Sequence, residues 1–233
     1  MIKGYTIIIP ILNEGKNIIK IIGLIKKTLN KKKYEVIFCD DNSSDDTLKI
    51  LNKNSKKNIR YLIHYGRNDL YQSAIMGIKK SLYDNIIIMD GDMQHHPRYL
   101  NKIIKLFEIK NSDLVIACRN FDKQVGLSLL RKISSIIIIK ISKLMLKIKT
   151  DDPMSGFFLF KKKLFTNNEK KIYGKGFKIL LDLLSLNRNC SITDFKIIFR
   201  RREKNISKMN LKILIQIVFL LTLRSYNRIF RSN

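Results

Sequence analysis

The stretch IIIMDGDMQHHP, residues 86–97, determines how the rest of the chain is interpreted. An apolar, β-branched run breaks into Asp90-Gly91-Asp92, which Gln94, two histidines and a proline follow. This pattern predicts a buried strand that carries acidic groups at its carboxyl end. Open α/β sheets bind their ligands at that edge, so we expect the functional site there.

The two carboxylates of this stretch suit a divalent cation. Residues i and i+2 of an extended chain point the same way, and Gly91 leaves room for a ligand beside the backbone. We therefore predict that Asp90 and Asp92 bind Mg²⁺ or Mn²⁺, which accept few carboxylates and complete their shells with phosphate oxygens. The alternative for a D-x-D pattern taken alone is an acidic turn after a strand.

Strand and helix patterns alternate on both sides of this stretch. Strands are predicted at residues 6–12, 35–39, 59–64, 86–89 and 114–118. Helical spacing follows them, at 18–29, from about 45, at about 72–82 and at 98–109. Such alternation requires right-handed crossovers. It predicts an α/β fold with a Rossmann-like, mostly parallel twisted sheet and helices on both faces.

The second half of the chain is more apolar and more basic. A long Ile/Leu-rich helix is predicted within residues 125–149, then a turn and short strand at 151–160, a helix at 176–186 and a last strand at 192–199. A basic cluster and an apolar helix at 211–223 follow, ending near Arg224. Spanning a bilayer takes about 20 apolar residues. Both apolar helices carry charges within or beside a shorter apolar face, which predicts amphipathic helices lying at a membrane interface. The alternative is that they cover the sheet or pair with another subunit.

The composition sets further limits. A chain of 233 residues suits one α/β domain with a short appendage. The formal net charge of +27 favours a polyanionic partner, although a bias toward Lys, Asn and Ile explains it equally well. Cys39, Cys118 and Cys190 lie far apart without a C-x-x-C motif, which argues against a zinc site or a disulfide scaffold and suits a reducing cytosol. No export signal is visible near the first strand.

The motifs of the chain form an ordered set. They are IPILNE (9–14), CDDNSSDDT (39–47), MDGDMQHHP (89–97), ACRN (117–120), LRKISS (130–135), DPMSGFF (152–158), GFKILLDLL (176–184) and FRRREKNISK (199–208). In this order and spacing they resemble the dolichyl-phosphate mannosyltransferases, a branch of the family 2 glycosyltransferases with the GT-A fold. The resemblance implies a GT-A domain over residues 1–208, with an interface helix at about 127–148 inserted in it. Residues 209–233 would form a basic and apolar interfacial helix.

The resemblance also implies roles for individual residues. The donor nucleotide falls on Pro10, Leu12, Glu14, Cys39 and Asp41. The metal and the donor diphosphate fall on Asp90, Gly91, Asp92 and Gln94, with Asp92 and Gln94 as the direct metal ligands. Asp40 and Asp45 have an alternative role as helix caps, which we favour for Asp45. His95 and His96 resemble metal ligands by composition only, and we assign them no role.

Basic residues would complete the site. By the resemblance, Arg119 reaches a donor or acceptor phosphate, while Arg131 and Ser135 hold the lipid phosphate, because a guanidinium fork matches phosphate oxygens. Arg202 and Lys208 would close over the diphosphate. Asp90, Asp92, Arg119 and Arg131 are thus the predicted catalytic set. The alternative for any one arginine in so basic a chain is a solvated surface charge.

The implied reaction is an inverting transfer of a hexose, mannose from GDP-mannose, to a polyprenyl or dolichyl phosphate. The enzyme would be peripheral on the cytoplasmic side of a membrane, and a small partner protein could supply an anchor. Another nucleotide sugar or a soluble saccharide acceptor is the first alternative. A nucleic-acid-binding protein is the second, but basic residues interleaved with Ile and Leu, and acidic strand ends, argue against nucleic acid. Leu70 and Tyr71 stand where relatives often have glycine, so the local turn is expected to differ.

Overall fold

The computed structural model describes residues 4–66, 69–120, 129–174 and 179–198, together with Phe219, Leu221, Thr222 and Arg224. For residues 129–135 it describes the backbone only.

The described strands form one sheet of seven strands in the order β3-β2-β1-β4-β6-β5-β7. They are β1 (Tyr5–Ile11), β2 (Tyr34–Asp40), β3 (Ile59–Ile63), β4 (Asn85–Met89), β5 (Leu114–Arg119), β6 (Phe157–Lys161) and β7 (Ile192–Ile197). Only β6 runs antiparallel to its neighbours β4 and β5 among these strands, so the predicted mostly parallel sheet is confirmed. Because β6 is reversed, its first residues lie at the edge where the other strands end.

Except for the short helix Lys163–Thr166, which was not predicted, the helices begin and end close to the predicted positions. They are α1 (Gly15–Thr28), α2 (Thr47–Asn54), α3 (Leu70–Lys79), α4 (Leu100–Lys110), α5 (Leu129–Leu146), α6 (Lys163–Thr166) and α7 (Ile179–Leu186), with short 3₁₀ turns at Pro97–Tyr99 and Glu169–Lys171. Helix α3 begins earlier than expected because the Asp69 side chain accepts the backbone N–H of Tyr71 at 2.9 Å, which caps the helix. Similarly, His96 Nδ1 accepts the N–H of Arg98 ahead of α4.

Alternating strand residues build a core on each face of the sheet. In β1, Ile7 and Ile9 pack with α1, α2 and α4, whereas Ile8 packs with α3, α5 and α7. All three isoleucines are fully buried. A buried side chain of this size contributes about 1.5–3 kcal/mol relative to an exposed one. Both faces are therefore covered, as parallel sheets require.

Helix α5 keeps one face in the core and the other in solvent. Ile139, Ser142 and Leu146 are buried. The other face exposes three large apolar side chains: Ile137 at 49%, Ile141 at 44% and Leu144 at 81%. Among the described residues, no helix combines the length and the apolar character needed to cross a membrane.

The C-terminal residues that are described pack against the protein. Leu221 is buried in the core beside α7, and Arg224 is buried with its guanidinium on Asp182 of that helix. Phe219 remains half exposed, with its ring beside that of Tyr173. The structure thus uses Arg224 inside the protein, which corrects our expectation that it flanks an interfacial helix as a headgroup contact.

Candidate active site

Left-handed backbone marks the ends of three adjacent strands. Asn13 after β1, Asn42 after β2 and Met93 after β4 have φ values of 57°, 62° and 64°. Asparagine tolerates this region, whereas a methionine there is strained and must be held by its surroundings. Such strain concentrates at functional sites. The three turns meet at the carboxyl edge of the sheet, where the sequence predicted the site.

The turns after β1 and β2 are tied to each other. The N–H of Asn13 donates to Ser43 Oγ at 2.8 Å, and the Asn13 carbonyl oxygen Oδ1 accepts from the N–H of Ser44 at 2.8 Å. The N–H of the buried Glu14 donates to Thr47 Oγ1 at 3.1 Å, at the start of α2. The two turns therefore form one rigid wall of the site.

Asp40 and Asp45 support this wall from within. Asp40 is fully buried and accepts both the N–H and the hydroxyl of Ser43. Asp45 Oδ1 accepts the N–H of Thr47 at 3.0 Å, at the first residue of α2. Asp45 thus binds the first N–H of α2, in line with the capping role that we favoured, whereas Asp40 holds the turn after β2 and does not cap the helix.

Asp41 is different, because one of its oxygens has no protein partner. The residue is 1% exposed, and its Oδ1 lies 2.8 Å from Nδ1 of His64, which follows β3. Its Oδ2 is buried and has no hydrogen-bond partner in the described part of the chain. A buried carboxylate oxygen without a donor is costly, so this atom is suited to accept an N–H or O–H from a ligand.

Cys39 does not contribute its side chain to the site. It is fully buried in β2 and faces α3, where a Cβ on Gly77 would lie 2.6 Å from its Sγ. Burial raises the pKa of its thiol, as expected for an inert core cysteine. The side chain therefore offers the donor no atom at this edge, and a donor contact through the backbone of Cys39 stays a prediction.

Asp90 leans across the edge toward the first residues of β6. Its Oδ2 lies 3.2 Å from Nδ1 of His95, and a Cβ on Gly156 would lie 2.1 Å from the same oxygen. Only glycine at residue 156 therefore leaves space for this carboxylate. The Asp90 side chain is still half exposed, so it remains accessible to a ligand.

The backbone bends sooner than the sequence argument assumed. Strand β4 ends at Met89, and Asp92 Oδ1 accepts the N–H of Gln94 at 3.0 Å across a tight turn. Asp92 is buried, whereas Asp90 is half exposed. The extended-chain reason for two carboxylates on one side is therefore wrong, and their convergence on one cation stays a prediction.

The residues at this edge nevertheless fit a hard divalent cation. Asp90, Asp92 and Gln94 offer carboxylate and amide oxygens, which Mg²⁺ and Mn²⁺ prefer. Gly91 is held close to β1, where a Cβ would lie 2.5 Å from Ile11 Cγ2, so the segment runs tight against the sheet. No group of three or more His, Cys, Asp or Glu side chains gathers as a metal site within the described residues. A cation bound by the few oxygens of Asp90, Asp92 and Gln94 would keep coordination positions for the oxygens of a diphosphate.

Arg119 is committed to a carboxylate of the protein. Its Nε and one terminal nitrogen donate to the two oxygens of Asp152 at 2.7 and 2.8 Å, and its backbone N–H also donates to Asp152. Burial opposes the charge, but the neighbouring Asp152 raises the pKa of the guanidinium. The pair joins the end of β5 to the segment before β6. A contact between Arg119 and a phosphate stays a prediction.

An apolar cleft opens beside Asp90. Its walls include Pro10 of β1, Leu70 and Tyr71 of α3, and Gly156. The Tyr71 ring is fixed because its hydroxyl donates to Asp182 at 2.8 Å, and burial together with Asp182 raises the pKa of this phenol. Leu70 and Tyr71 therefore border the space next to the acidic edge. Leu12, partly exposed, lies just beyond β1 at the same edge.

Residues 6–167 match the family described as Glycosyl transferase family 2. The chain belongs to this family. The match covers most of the sheet and every motif from the first strand to DPMSGFF, and it confirms the predicted family.

Curated family 2 relatives extend the likeness toward the C-terminus. A dolichol-phosphate mannosyltransferase of Pyrococcus furiosus is 30% identical over 217 residues, covering 91% of this chain and 60% of that protein. A dolichol-phosphate mannosyltransferase of Saccharomyces cerevisiae is 28% identical over 225 residues, covering 91% of this chain and 83% of that protein. This chain thus spans less than two thirds of the archaeal relative's length but most of the yeast relative's.

A solved structure has the same fold. Glucosyl-3-phosphoglycerate synthase from Mycobacterium tuberculosis, crystallised with Mn²⁺ and UDP-glucose, superposes with a TM-score of 0.72 at 17% identity, covering 96% of this chain and 79% of that one. This agreement confirms the predicted GT-A fold.

Four basic or polar residues that the family motifs single out have no described side chain. Arg131 and Ser135 lie in the first turns of α5, where only the backbone is described, and Arg202 and Lys208 lie outside the described residues. Their contacts with phosphate remain predictions. His64, in contrast, is a residue that the sequence analysis missed. The register of β2 and β3 pairs Asp40 with Ile63, so it sets Asp41 beside His64. The signal available in the sequence was that the predicted strand 59–64 ends at this histidine.

Proposed function

We propose that this chain is a metal-dependent, inverting glycosyltransferase that moves a hexose from a nucleoside diphosphate sugar to a polyprenyl phosphate at a membrane surface. The donor that we propose is GDP-mannose. The observation that carries the proposal is the likeness to two dolichol-phosphate mannosyltransferases over 91% of the chain, which includes the part beyond the family match.

The carboxyl edge of the sheet supports a nucleotide-sugar donor. Asp41, with its unpartnered Oδ2, is suited to the nucleoside, and the oxygens of Asp90, Asp92 and Gln94 lie after β4, nearer the middle of the sheet. Glucosyl-3-phosphoglycerate synthase, which has the same fold, was crystallised with Mn²⁺ and UDP-glucose, and this is consistent with a divalent cation in the donor site. Bound Mg²⁺ or Mn²⁺ would stabilise the negative charge of the leaving diphosphate.

The chemistry needs little from the protein besides position and charge. An acceptor phosphate oxygen attacks the anomeric carbon and forms the new C–O bond, while the bond from that carbon to the donor phosphate breaks. The nucleoside diphosphate leaves with the electron pair. A phosphate monoester is already ionised near neutral pH, so no strong base is required. Asp90 and Asp92 would orient the donor, and Arg131 with Ser135 would hold the attacking phosphate.

A lipid acceptor is supported by the outer face of α5. Ile137, Ile141 and Leu144 form an exposed apolar row, and Lys140 and Lys147 are exposed beside it. An apolar face bordered by cations suits the headgroup region of an anionic membrane. This arrangement favours polyprenyl phosphate over a soluble saccharide, and it supports a peripheral enzyme. The cytoplasmic side and a small anchoring partner remain part of the proposal.

The decisive experiment is a transfer assay with a panel of donors. The protein is incubated with polyprenyl phosphate, with Mg²⁺ or Mn²⁺, and with labelled GDP-mannose, UDP-glucose or another nucleotide sugar. We expect label in the lipid phase, greatest with GDP-mannose, and none after chelation of the metal. Absence of label from the lipid phase with every donor would overturn the lipid acceptor, and label greatest from another nucleotide sugar would overturn GDP-mannose.

Asp92→Asn is the matched variant for this assay. It keeps the size of the side chain and an oxygen that can accept from Gln94, so the turn is retained. It removes the negative charge, so binding of the divalent cation is weakened. We expect transfer to fall at least about 100-fold. Lys57→Ala, an exposed change at the opposite edge of the sheet, serves as the control and is expected to act like the wild type. Transfer by Asp92→Asn at the wild-type rate would contradict the metal assignment.

A further inference from the structure

We infer that His64 is a positioning residue for the donor's nucleobase: it holds Asp41 so that Oδ2 accepts a ring N–H that lies beside a carbonyl, as in guanine or uracil. The inference rests on the proposed function, because it assigns a recognition role within the same donor site.

The geometry of the His64–Asp41 pair shows which of its polar atoms already have a hydrogen-bond partner in the protein. A carboxylate only accepts, so Nδ1 of His64 carries the proton and donates to Oδ1 of Asp41 at 2.8 Å. The backbone supports the pair on both sides. The N–H of His64 donates to the Asp40 carbonyl at 2.8 Å, and the N–H of Asp41 donates to the Ile11 carbonyl at 2.9 Å. The carboxylate is therefore fixed at the ends of β1, β2 and β3.

The histidine ring is itself held in place. A Cβ on Gly66 would lie 2.7 Å from Nε2 and 2.8 Å from Cε1 of His64, so the chain turns back closely over the ring. Glycine at residue 66 thus permits the contact that limits rotation of the imidazole. A histidine that merely filled space would not need a hydrogen bond to a buried carboxylate on one side and a glycine on the other.

The remaining oxygen defines the ligand chemistry. Oδ2 of Asp41 is buried and has no hydrogen-bond partner among the described residues. Guanine and uracil present a ring N–H at their pairing edge, whereas adenine and cytosine present a ring nitrogen that accepts. An oxygen that faces this ring nitrogen accepts from the first class and repels the lone pair of the second, whose only donor on that edge is the neighbouring amino group. The site should therefore discriminate between these two groups of bases, and His64 should be needed for the discrimination.

The test measures binding to the full chain by calorimetry in the presence of Mn²⁺. The probes are GDP, UDP, ADP, CDP and inorganic pyrophosphate, which has no base. For the wild type we expect GDP or UDP to bind at least about tenfold more tightly than ADP and CDP, which corresponds to one hydrogen bond to a charged group. Comparison of GDP with UDP then tells which of the two bases is read.

The variants separate positioning from folding. His64→Ala should weaken binding of the preferred nucleotide about tenfold, because the Asp41 carboxylate is no longer fixed. The affinity for pyrophosphate should stay within about twofold of the wild-type value. His64→Asn should recover most of the loss, because its amide N–H can take the place of Nδ1–H. Gly66→Ala should act like His64→Ala, since the added methyl group displaces the ring.

Three results would overturn the inference while leaving the proposed function intact. They are unchanged nucleotide binding in His64→Ala, equal weakening of nucleotide and pyrophosphate, and an Asn variant as weak as the Ala variant. Equal binding of all four nucleotides by the wild type would also overturn it. Failure of the wild type to bind any nucleotide would instead overturn the proposed function together with the inference.

Discussion

At the scale of single residues, Gly156 decides where the Asp90 carboxylate can lie. A methyl group at this residue would come within 2.1 Å of Asp90 Oδ2, far inside contact distance. The half-exposed carboxylate can move away without disturbing the core, so the cost falls on the site more than on the fold. Gly156 is thus expected to influence metal binding although it carries no ligand atom.

We therefore expect Gly156→Ala to weaken Mn²⁺-dependent binding of a nucleoside diphosphate at least about tenfold, because Asp90 is displaced from the place that we propose for it beside the diphosphate. Gly23→Ala is the matched control. Gly23 lies inside α1 with nothing within 4 Å of an added Cβ, so this change should stabilise the fold by about 0.5–1 kcal/mol and leave binding unchanged. Calorimetric titration and urea denaturation measure the two effects. Wild-type affinity in Gly156→Ala would show that Asp90 does not have to occupy this place.

The same scale shows where motif position misleads. Cys39 and Asp41 lie two residues apart in one motif, and both were assigned to the donor. Alternation along β2 turns Cys39 into the core against α3, while Asp41 lies just past the end of the strand. The motif alone does not show which residue is the last one inside the sheet, whereas the burial of each side chain in the structure does.

At the scale of elements, a buried polar cluster joins α3, α7 and the C-terminal residues. Asp182 of α7 accepts from the Tyr71 hydroxyl at 2.8 Å, from the Tyr173 N–H at 2.6 Å and from Arg224 Nε at 2.9 Å. Arg224 also donates to the Lys171 carbonyl. Asp182 is fully buried, so its charge depends on Arg224 for compensation.

Loss of this compensation should be severe. Arg224→Met keeps much of the apolar volume but leaves a buried, uncompensated carboxylate, and we expect the free energy of unfolding to fall by about 3–5 kcal/mol. Adding Asp182→Asn removes the charge while retaining an oxygen for Tyr71 and Tyr173, so the double variant should recover a large part of the loss. Urea denaturation of both variants at neutral pH measures this coupling. A wild-type midpoint for Arg224→Met would contradict the role of the pair.

The elements also show how far a sequence can lead. The parallel strands and their helices follow from hydrophobic periodicity, because each βα unit repeats a local pattern. The place of β6 does not follow. Its pairing with β4 and β5 is non-local, and a pattern of period two carries no direction, so neither its position nor its reversal was predicted. The buried role of Arg224 was missed for a related reason. A cation at the end of an apolar helix has the same local pattern whether its partner is a headgroup or Asp182.

At the scale of the whole molecule, a strongly basic chain carries a group of carboxylates at one edge of its sheet. The formal net charge is +27, yet the carboxyl edge of the sheet gathers Asp41, Asp90 and Asp92. A strongly basic protein with an acidic site suits a negatively charged membrane that lies beside, and not over, a cation-dependent centre. The exposed row of α5 lies on the sheet face opposite α1 and α4. The proposed membrane face and the proposed donor site thus lie on different sides of the fold.

This arrangement predicts that the exposed row of α5 contacts the membrane. Deletion of the apolar C-terminal residues 211–233 is a poor test of membrane binding, because it also removes Arg224 from Asp182. Substitution of Ile137, Ile141 and Leu144 by serine avoids that problem, since all three side chains are already exposed. We expect the triple variant to bind vesicles containing phosphatidylserine at least about tenfold more weakly, because it loses the apolar area that enters the interface. Ile19→Ser with Ile109→Ser is the control, since these exposed side chains lie on α1 and α4 across the sheet and should not affect sedimentation. Raised salt should weaken vesicle binding by the wild type, because it screens the attraction of Lys140 and Lys147 to the anionic surface, which is worth about 1 kcal/mol for each lysine. If the triple variant and the control sediment alike, α5 does not contact the membrane, and the acceptor must reach the site by another face.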